Sequence, residues 1–171
     1  MVKGLLIICF VAACGLLGSV KAWELKERIV LLEDFQKMIL LLKGKMNYLR
    51  EPITTMIDAE AKKDNSRAFN LLDEAGTALR EKNAEMDRIW VQKASEIYKG
   101  AYLTEDDMEL IIYPGKFLGQ TDWENQQARF DFLEKRLQQQ IDSARQDYRV
   151  KGPLYRKIGF FAGGLVSIIF I

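Results

Sequence analysis

Three consecutive acidic residues, Glu105, Asp106 and Asp107, are the side chains whose type and spacing come nearest to chemistry. Neighbouring carboxylates can act as general acids and bases or bind a metal ion. Here they follow Thr104 in the pattern TEDD, which is typical of a helix start, where acidic side chains complement the positive end of the helix dipole. The pattern therefore favours a structural role, and no catalytic residue is predicted.

Other reactive residue types are scarce. The 171 residues include no histidine, the commonest general base and metal ligand near neutral pH. The two cysteines, Cys9 and Cys14, are not a CxxC pair, and five positions apart on a helix they point in different directions. No phosphate-binding GxxxxGK[ST] motif and no GxSxG motif occurs. We therefore expect a protein that is not an enzyme and has no cofactor and no metal site.

Two runs without charge dominate the hydropathy pattern. Residues 4–20 read GLLIICFVAACGLLGSV, about 25 Å of helix at roughly 1.5 Å per residue, and residues 158–171 would form about 21 Å. Basic and aromatic side chains that could anchor at a membrane surface adjoin both runs. The sequence predicts transmembrane helices at residues 1–21 and 154–171, with membrane-edge anchors at Lys21, Trp23, Arg156 and Lys157.

Small residues suggest how these two helices would pack. Gly159 and Gly163 have the small-xxx-small spacing that lets membrane helices approach closely, and the expected partner is the first helix, which carries Gly4, Gly15 and Gly18. Lysines and arginines concentrate on the side of residues 22–153. By the positive-inside rule, that segment is expected in the cytoplasm, between two membrane spans.

A different topology is open at Cys14. The sequence Val11-Ala12-Ala13-Cys14 looks like a lipoprotein processing box, and cleavage there would leave a lipid-anchored domain outside the cytoplasm. A cleaved secretory signal would also begin with a basic residue and an apolar stretch. Against lipidation, the apolar run continues for six residues beyond Cys14. An intact-mass measurement distinguishes these topologies.

The central segment has helical periodicity. Apolar residues from Leu25 to Leu49 are spaced three or four apart, which predicts a long helix that stops before Pro52. A second apolar stripe predicts a helix over 122–150, started by the capping box TDWE and ended by Gly152-Pro153. Shorter helices are predicted at about 52–62, 66–81, 83–98 and 104–118. The fold class is therefore all-α, a cytoplasmic bundle of about six helices flanked by two membrane helices.

Charge limits the partners of this segment. Between Lys21 and Lys157 there are 24 basic and 24 acidic residues, which cancel. A nucleic-acid binder needs a basic surplus that displaces counterions, so no nucleic-acid partner is expected. The balance also argues against a polybasic lipid-binding arm.

Three sequence stretches carry a family resemblance. They are RIVLLEDFQKMILLLKGKMNYLREPI, LGQTDWENQQ, and the series Tyr155-Arg156-Lys157-Ile158-Gly159 with Gly163 following. In their order and spacing the chain resembles the stage III sporulation protein AB family of endospore-forming Firmicutes over nearly its whole length. One departure is Lys45, where the family usually has glutamate.

The resemblance implies more than the residues themselves. The family is similar to the inner-membrane platform (F) proteins of type II secretion and type IV pilus machines, which have helical cytoplasmic domains. The resemblance implies a scaffold in a channel between mother cell and forespore, located in the mother-cell or outer forespore membrane. The implied partners are a secretion-type ATPase, stage III sporulation protein AA, and the other channel subunits. A homo-oligomer is a further expectation. A general secretion or pilus platform subunit is the alternative. On the same resemblance, the candidate partner contacts are Gly119, Asp122 and Gln126.

Overall fold

The computed structural model describes residues 2–49, 64–82, 85–118 and 123–170. These residues form α-helices and one 3₁₀ turn, without strands, so the all-α prediction is confirmed for them. The predicted helix at 52–62 lies outside the described residues. The elements are α1 (Val2–Leu49), α2 (Arg67–Lys82), α3 (Met86–Ile97), α4 (Glu105–Ile112), the 3₁₀ turn Tyr113–Lys116 and α5 (Trp123–Phe170).

The first long helix joins two predicted pieces. The predicted membrane helix and the predicted bundle helix are both part of α1, which runs unbroken over 48 residues. The residues that connect the two pieces, such as Ala22 and Glu24, include neither proline nor glycine and are strong helix formers. The change from apolar to charged sequence therefore does not interrupt the backbone.

The second long helix passes through its predicted stop. The expectation that Gly152-Pro153 would end a helix at residue 150 is wrong, because α5 continues to Phe170 with Pro153 in its interior. Proline removes one backbone donor and leaves the carbonyl oxygen of Arg149 without its usual helical partner. Pro153 and Arg149 are both exposed, so water can solvate that carbonyl. The local cost, on the order of 3 kcal/mol, is evidently offset by the packing of α5 on either side.

No helix in the described ranges is both long enough and apolar enough to cross a membrane. The transmembrane helices predicted for residues 1–21 and 154–171 are therefore not supported there.

The chain divides into two compact units. One unit, which we call the helix-pair unit, contains Met1–Ile29 and Asp142–Ile171, and the other, the bundle unit, contains Val30–Ile141. The bundle unit holds most of the buried apolar side chains, contributed by all five helices. Its largest fully buried side chains include Phe35, Phe69, Trp90, Phe117 and Phe130.

The bundle core is organised around Trp90 on α3. The indole Nε1 of Trp90 donates a hydrogen bond of 2.8 Å to the carbonyl oxygen of Ile111 on α4. Gly115 lies against the same side chain, and a Cβ at this glycine would come within 2.8 Å of the Cβ of Trp90. Phe117 then stacks edge-on against Phe130 of α5, with ring centroids 4.9 Å apart. A glycine is required at position 115 because the turn approaches the tryptophan so closely.

Ion pairs at the rim of the bundle unit join α1 to its neighbours. Lys43 Nζ lies 2.6 Å from Asp131 Oδ1 and 2.5 Å from Glu134 Oε2, both on α5. Hydrogen bonds to these carboxylates raise the pKa of Lys43. Lys37 Nζ lies 2.7 Å from Asp64 Oδ2, just before α2. The two lysines lie six positions apart on α1, so the helix is held toward both α5 and α2.

Candidate functional site

The acidic triplet forms a helix start. Thr104 and Asp107 make a capping box: the Thr104 side chain accepts from the Asp107 backbone N–H at 3.2 Å, and the Asp107 carboxylate accepts from the Thr104 N–H at 2.9 Å. Asp107 is fully buried, whereas Glu105 and Asp106 are exposed in the first turn of α4. The predicted cap at TEDD is confirmed. Within the described ranges no group of three or more histidine, cysteine, aspartate or glutamate residues is arranged to hold a metal ion.

A close backbone contact joins the two helices of the helix-pair unit. A Cβ placed on Gly159 of α5 would lie 2.6 Å from the carbonyl oxygen of Cys14 and 3.4 Å from the Cα of Gly18, both on α1. In the same way, a Cβ on Gly18 would overlap the backbone carbonyl oxygen of Tyr155. Only residues without side chains fit at this crossing, as small-residue helix contacts require. Gly163 lies in α5, but its surroundings fall outside what the structure describes.

The helix pair is antiparallel, with a register fixed by these contacts. Cys14 faces Gly159, Gly18 faces Tyr155, and further along Arg28 Nη1 lies 3.6 Å from Asp147 Oδ2. The uncharged run of α1 therefore lies beside the start of the uncharged run of α5, and the charged segments of the two helices lie together at the other end of the pair. This arrangement is not visible in the linear sequence, because the contacting residues are more than 100 positions apart.

Charged side chains hold the other end of the pair. Arg28 is almost completely buried, and its Nη1 forms an ion pair with Asp147 Oδ2 at 3.6 Å. Lys151 Nζ, one turn further along α5, lies 2.6 Å from Oδ1 of the same carboxylate. The Asp147 carboxylate thus pairs with two cations, of which only Arg28 is nearly buried. Sequence reasoning did not single out Asp147, and its one available signal was an acid between the basic residues Arg145 and Arg149 in the middle of α5.

Each helix of the pair exposes an apolar stripe. On α5 most of the exposed apolar side chains recur every three or four residues, and most of those on α1 have the same spacing. Phe161 is 72% exposed, far more than a large aromatic side chain in a packed surface usually is. An exposed apolar surface of this kind marks a membrane or protein contact. Its members are Leu16, Leu17, Val20 and Trp23 on α1, and Val150, Leu154, Tyr155, Ile158 and Phe161 on α5.

The four predicted membrane-edge anchors are all exposed. Lys21 and Trp23 are exposed on α1, and Lys21 Nζ pairs with Glu24 at 2.7 Å. Arg156 and Lys157 are exposed on α5 between Leu154 and Ile158. All four side chains are exposed, and their role as membrane-edge anchors stays a prediction.

The two units differ in charge. The helix-pair unit contains nine lysines and arginines against four aspartates and glutamates, a surplus of five positive charges. The bundle unit contains sixteen against twenty, a surplus of four negative charges. The central segment was expected to be too balanced for lipid binding. The near-zero net charge arises because the opposite charges of the two units nearly cancel. The helix-pair unit is built from both ends of the sequence.

Of the three candidate partner contacts, the structure describes only Gln126. Gly119 and Asp122 lie outside the described residues, as does the first half of the TDWE capping box. Gln126 is in the first turns of α5 and is only 3% exposed, so its side chain belongs to the packed interior. Whether Gly119 and Asp122 form a partner contact stays a prediction.

An unusual polar junction occurs elsewhere in the bundle unit. The hydroxyls of Tyr98 and Ser66 are buried without a hydrogen-bond partner. Their sequence neighbours are joined by a hydrogen bond of 3.4 Å from Arg67 Nη1 to the Ile97 carbonyl oxygen. Burial, followed by the nearby charge of Asp34, raises the pKa of Tyr98. Tyr98 therefore stays neutral at physiological pH, and its hydroxyl is a structural cost rather than a reactive group.

The fold defines an all-α protein, and one of its two units is a positively charged helix pair with exposed apolar side chains. The chain belongs to the stage III sporulation protein AB family, whose sequence profile matches residues 3–171. Membership over essentially the whole chain implies a role in sporulation and confirms the resemblance noted from the sequence. No curated protein and no solved structure matches the chain significantly.

Proposed function

We propose that this chain is a non-enzymatic, membrane-attached subunit of a channel complex between mother cell and forespore, and that it couples a cytoplasmic ATPase to that complex. The observation that carries the proposal is the family match over residues 3–171. The expected partners are a secretion-type ATPase, stage III sporulation protein AA, and the other channel subunits, with self-association as a further possibility.

Membrane attachment is supported by the helix-pair unit. The uncharged run of α1 ends, and that of α5 begins, near the contact between Gly18 and Gly159, and both helices expose apolar side chains there. Burying such stripes in a bilayer is favourable by roughly 25 cal/mol for each Å² of apolar surface. The proposed location is the mother-cell or outer forespore membrane.

The charge difference between the units supports a cytoplasmic bundle. A surplus of four negative charges on the bundle unit is repelled by an anionic inner leaflet, whereas the positive surplus of the helix-pair unit is attracted to it. The bundle unit is therefore free to meet a soluble ATPase while the helix pair holds it near the bilayer. Positive charge flanking the uncharged runs favours the same orientation.

Three experiments test the parts of this proposal. Deletion of the coding sequence should block sporulation after engulfment, and normal numbers of heat-resistant spores would contradict it. The tagged full chain, isolated from sporulating cells, should retain the ATPase, and recovery of the other subunits without the ATPase would remove the coupling role. Protease added to intact protoplasts should spare the bundle unit.

The competing assignments give different results in the same experiments. A general secretion or pilus subunit would show lost export or piliation in vegetative cells, with sporulation unaffected. A lipid-anchored extracytoplasmic protein would be digested in protoplasts and would carry a diacylglyceryl mass on a chain that begins at Cys14.

A further inference from the structure

Two aromatic side chains pack together at the surface of the bundle unit. The rings of Tyr113, in the 3₁₀ turn, and Phe132, on α5, have centroids 5.7 Å apart and planes inclined at 56°. Phe132 is 51% exposed, although Phe130 and Leu133 beside it on α5 are buried. A large aromatic side chain left half in water next to a packed core is typical of a surface that another protein covers.

Two arginines flank Phe132 on α5. Arg129 lies three positions before it and Arg136 four positions after it, so at about 100° per residue both lie within about 60° of Phe132 around the helix. Arg136 is exposed, and the side chain of Arg129 donates a hydrogen bond to Asn125 at 3.4 Å. Neither arginine forms an ion pair with any residue that the structure describes. Their positive charge is therefore available to a carboxylate.

The acids nearest to these arginines in sequence point elsewhere. Asp131 and Glu134 lie about 100° and about 160° from Phe132 around α5. Both pair with Lys43 of α1, at 2.6 Å and 2.5 Å. The carboxylates of this stretch thus neutralise a lysine of the neighbouring helix rather than the two arginines.

Two acids flank Tyr113 on the other side, along α4. Asp106 and Glu109 lie seven and four positions before Tyr113, on the same helix face, and both are exposed. Neither forms an ion pair within the described part of the chain. The surface therefore has unpaired acids on α4, unpaired arginines on α5 and an aromatic pair in common. We call it the aromatic–charge patch, with the members Asp106, Glu109, Tyr113, Arg129, Phe132 and Arg136.

We infer that the aromatic–charge patch binds the same patch of a second copy of this chain. A two-fold symmetric contact joins one surface to itself, so that surface must be complementary to itself. A patch of one sign would need a partner of the opposite sign, whereas this patch carries both signs on two neighbouring helices. Turning a second copy by 180° about a line along the boundary between α4 and α5 brings the acids of each copy opposite the arginines of the other, with the aromatic rings between them.

The inference rests on the proposed function, which leaves self-association open, and it names the surface that would mediate it. The patch has six side chains, fewer than the roughly 20–30 residues per side of a standard interface, so the dimer should be weak in solution. Attachment of both copies to one membrane would raise their effective concentration. The surplus of four negative charges on the bundle unit opposes the contact only weakly, because charges more than about 8 Å apart are screened at physiological ionic strength.

The test is sedimentation equilibrium of the full chain in a non-ionic detergent, from about 1 µM to about 500 µM to cover a weak interface. The natural chain should show a reversible monomer–dimer equilibrium. R129E/R136E removes four ion pairs from each dimer. Because an exposed pair contributes about twofold, the dissociation constant should rise at least about 15-fold. D106K/E109K should raise it to a similar extent.

Mixing the two variants distinguishes a lost contact from a damaged fold. The patch of R129E/R136E is acidic on both helices, and that of D106K/E109K is basic on both. Each variant alone should remain monomeric, whereas an equimolar mixture should form heterodimers at least as tightly as the natural chain dimerises. Variants that had merely lost their fold would not recover association on mixing.

A matched control reverses two charges elsewhere in the bundle unit. Arg88 and Lys99 are both exposed, and Arg88 lies on the side of α3 turned away from the buried Trp90. R88E/K99E should therefore leave the dissociation constant of the dimer unchanged.

Any of four results would overturn the inference. They are a natural chain that is monomeric at every concentration, a dimer that R129E/R136E does not weaken, a mixture of the two patch variants that stays monomeric, and an equal weakening in R88E/K99E. None of these results bears on the proposed role in sporulation, which is judged by spore formation, recovery of the ATPase and protease protection.

Discussion

Adding one methyl group at Gly159 is expected to push apart the two helices of the helix-pair unit. In a Gly159→Ala variant the new Cβ would lie 2.6 Å from the carbonyl oxygen of Cys14. Ordinary contact begins near 3.4 Å, so the backbones must separate by about 0.8 Å. The opposing atom belongs to a helix backbone, which cannot rotate away as a flexible side chain could.

The size of the effect follows from two opposing contributions. Overpacking a close contact costs about 1–3 kcal/mol, whereas alanine is favoured over glycine in a helix by about 1 kcal/mol. Gly159→Ala should therefore lower the free energy of unfolding by up to about 2 kcal/mol. Gly164→Ala on the same helix is the matched control, because a Cβ there meets nothing within 4 Å. The control should raise stability by up to about 1 kcal/mol.

The assay is urea unfolding of the full chain, followed by circular dichroism. The difference between the two variants isolates the contact and should be about 1–3 kcal/mol. A Gly18→Ala change should also destabilise the pair, and combined with Gly159→Ala it should cost less than the sum, because one displacement relieves both contacts. Equal stability of the Gly159→Ala and Gly164→Ala variants would refute the predicted close approach.

Other predictions concern the bundle unit. Tyr98→Phe removes a buried, unpaired hydroxyl and should stabilise the chain by about 1 kcal/mol. Because burial raises the pKa of Tyr98, the natural chain should also lose stability as pH rises above about 10, where tyrosine ionises in the unfolded chain. In pH-dependent unfolding, Tyr98→Phe should lessen this loss more than Tyr102→Phe, which changes an exposed position. Trp90→Phe, which removes a fully buried indole and its hydrogen bond to α4, should cost about 2–4 kcal/mol in urea unfolding, and a cost below about 1 kcal/mol would contradict its central place in the core. Thr104→Ala should cost about 1 kcal/mol, whereas Thr104→Ser should restore most of it by keeping a hydroxyl for the Asp107 N–H, and equal stability of both variants would exclude the cap.

Local signals predicted the short helices well. The apolar spacing and cap residues place helices at 66–81, 83–98 and 104–118, close to α2, α3 and α4. The last of these ends earlier than predicted, at Ile112, and continues as the 3₁₀ turn that contains Pro114. Caps and periodicity act over a few residues, so a single sequence is enough to read them.

The stop predicted at Pro153 fails for an equally physical reason. The expectation that proline ends a helix considers only the free-energy cost within that helix. The continuation of α5 also depends on the contacts that the helix makes on both sides of Pro153. Gly159 and Tyr155 contact α1 beyond the proline, and Asp147 contacts it before the proline. Those contacts join residues more than 100 positions apart, and no local rule includes them.

The sequence by itself determines the helical class, the cap at Thr104, the two uncharged runs and the family, because each is written in neighbouring residues or in whole-length similarity. Only the tertiary structure decides that Gly18 and Gly159 meet, that α5 passes through Pro153, and that the charges separate into a positive helix pair and a negative bundle. The physical reason is that these features depend on antiparallel pairing between the two ends of the chain. This pairing depends on many weak contacts at long sequence separation. It places residues from both ends of the chain in one unit with a net positive charge, which the evenly mixed linear sequence does not show.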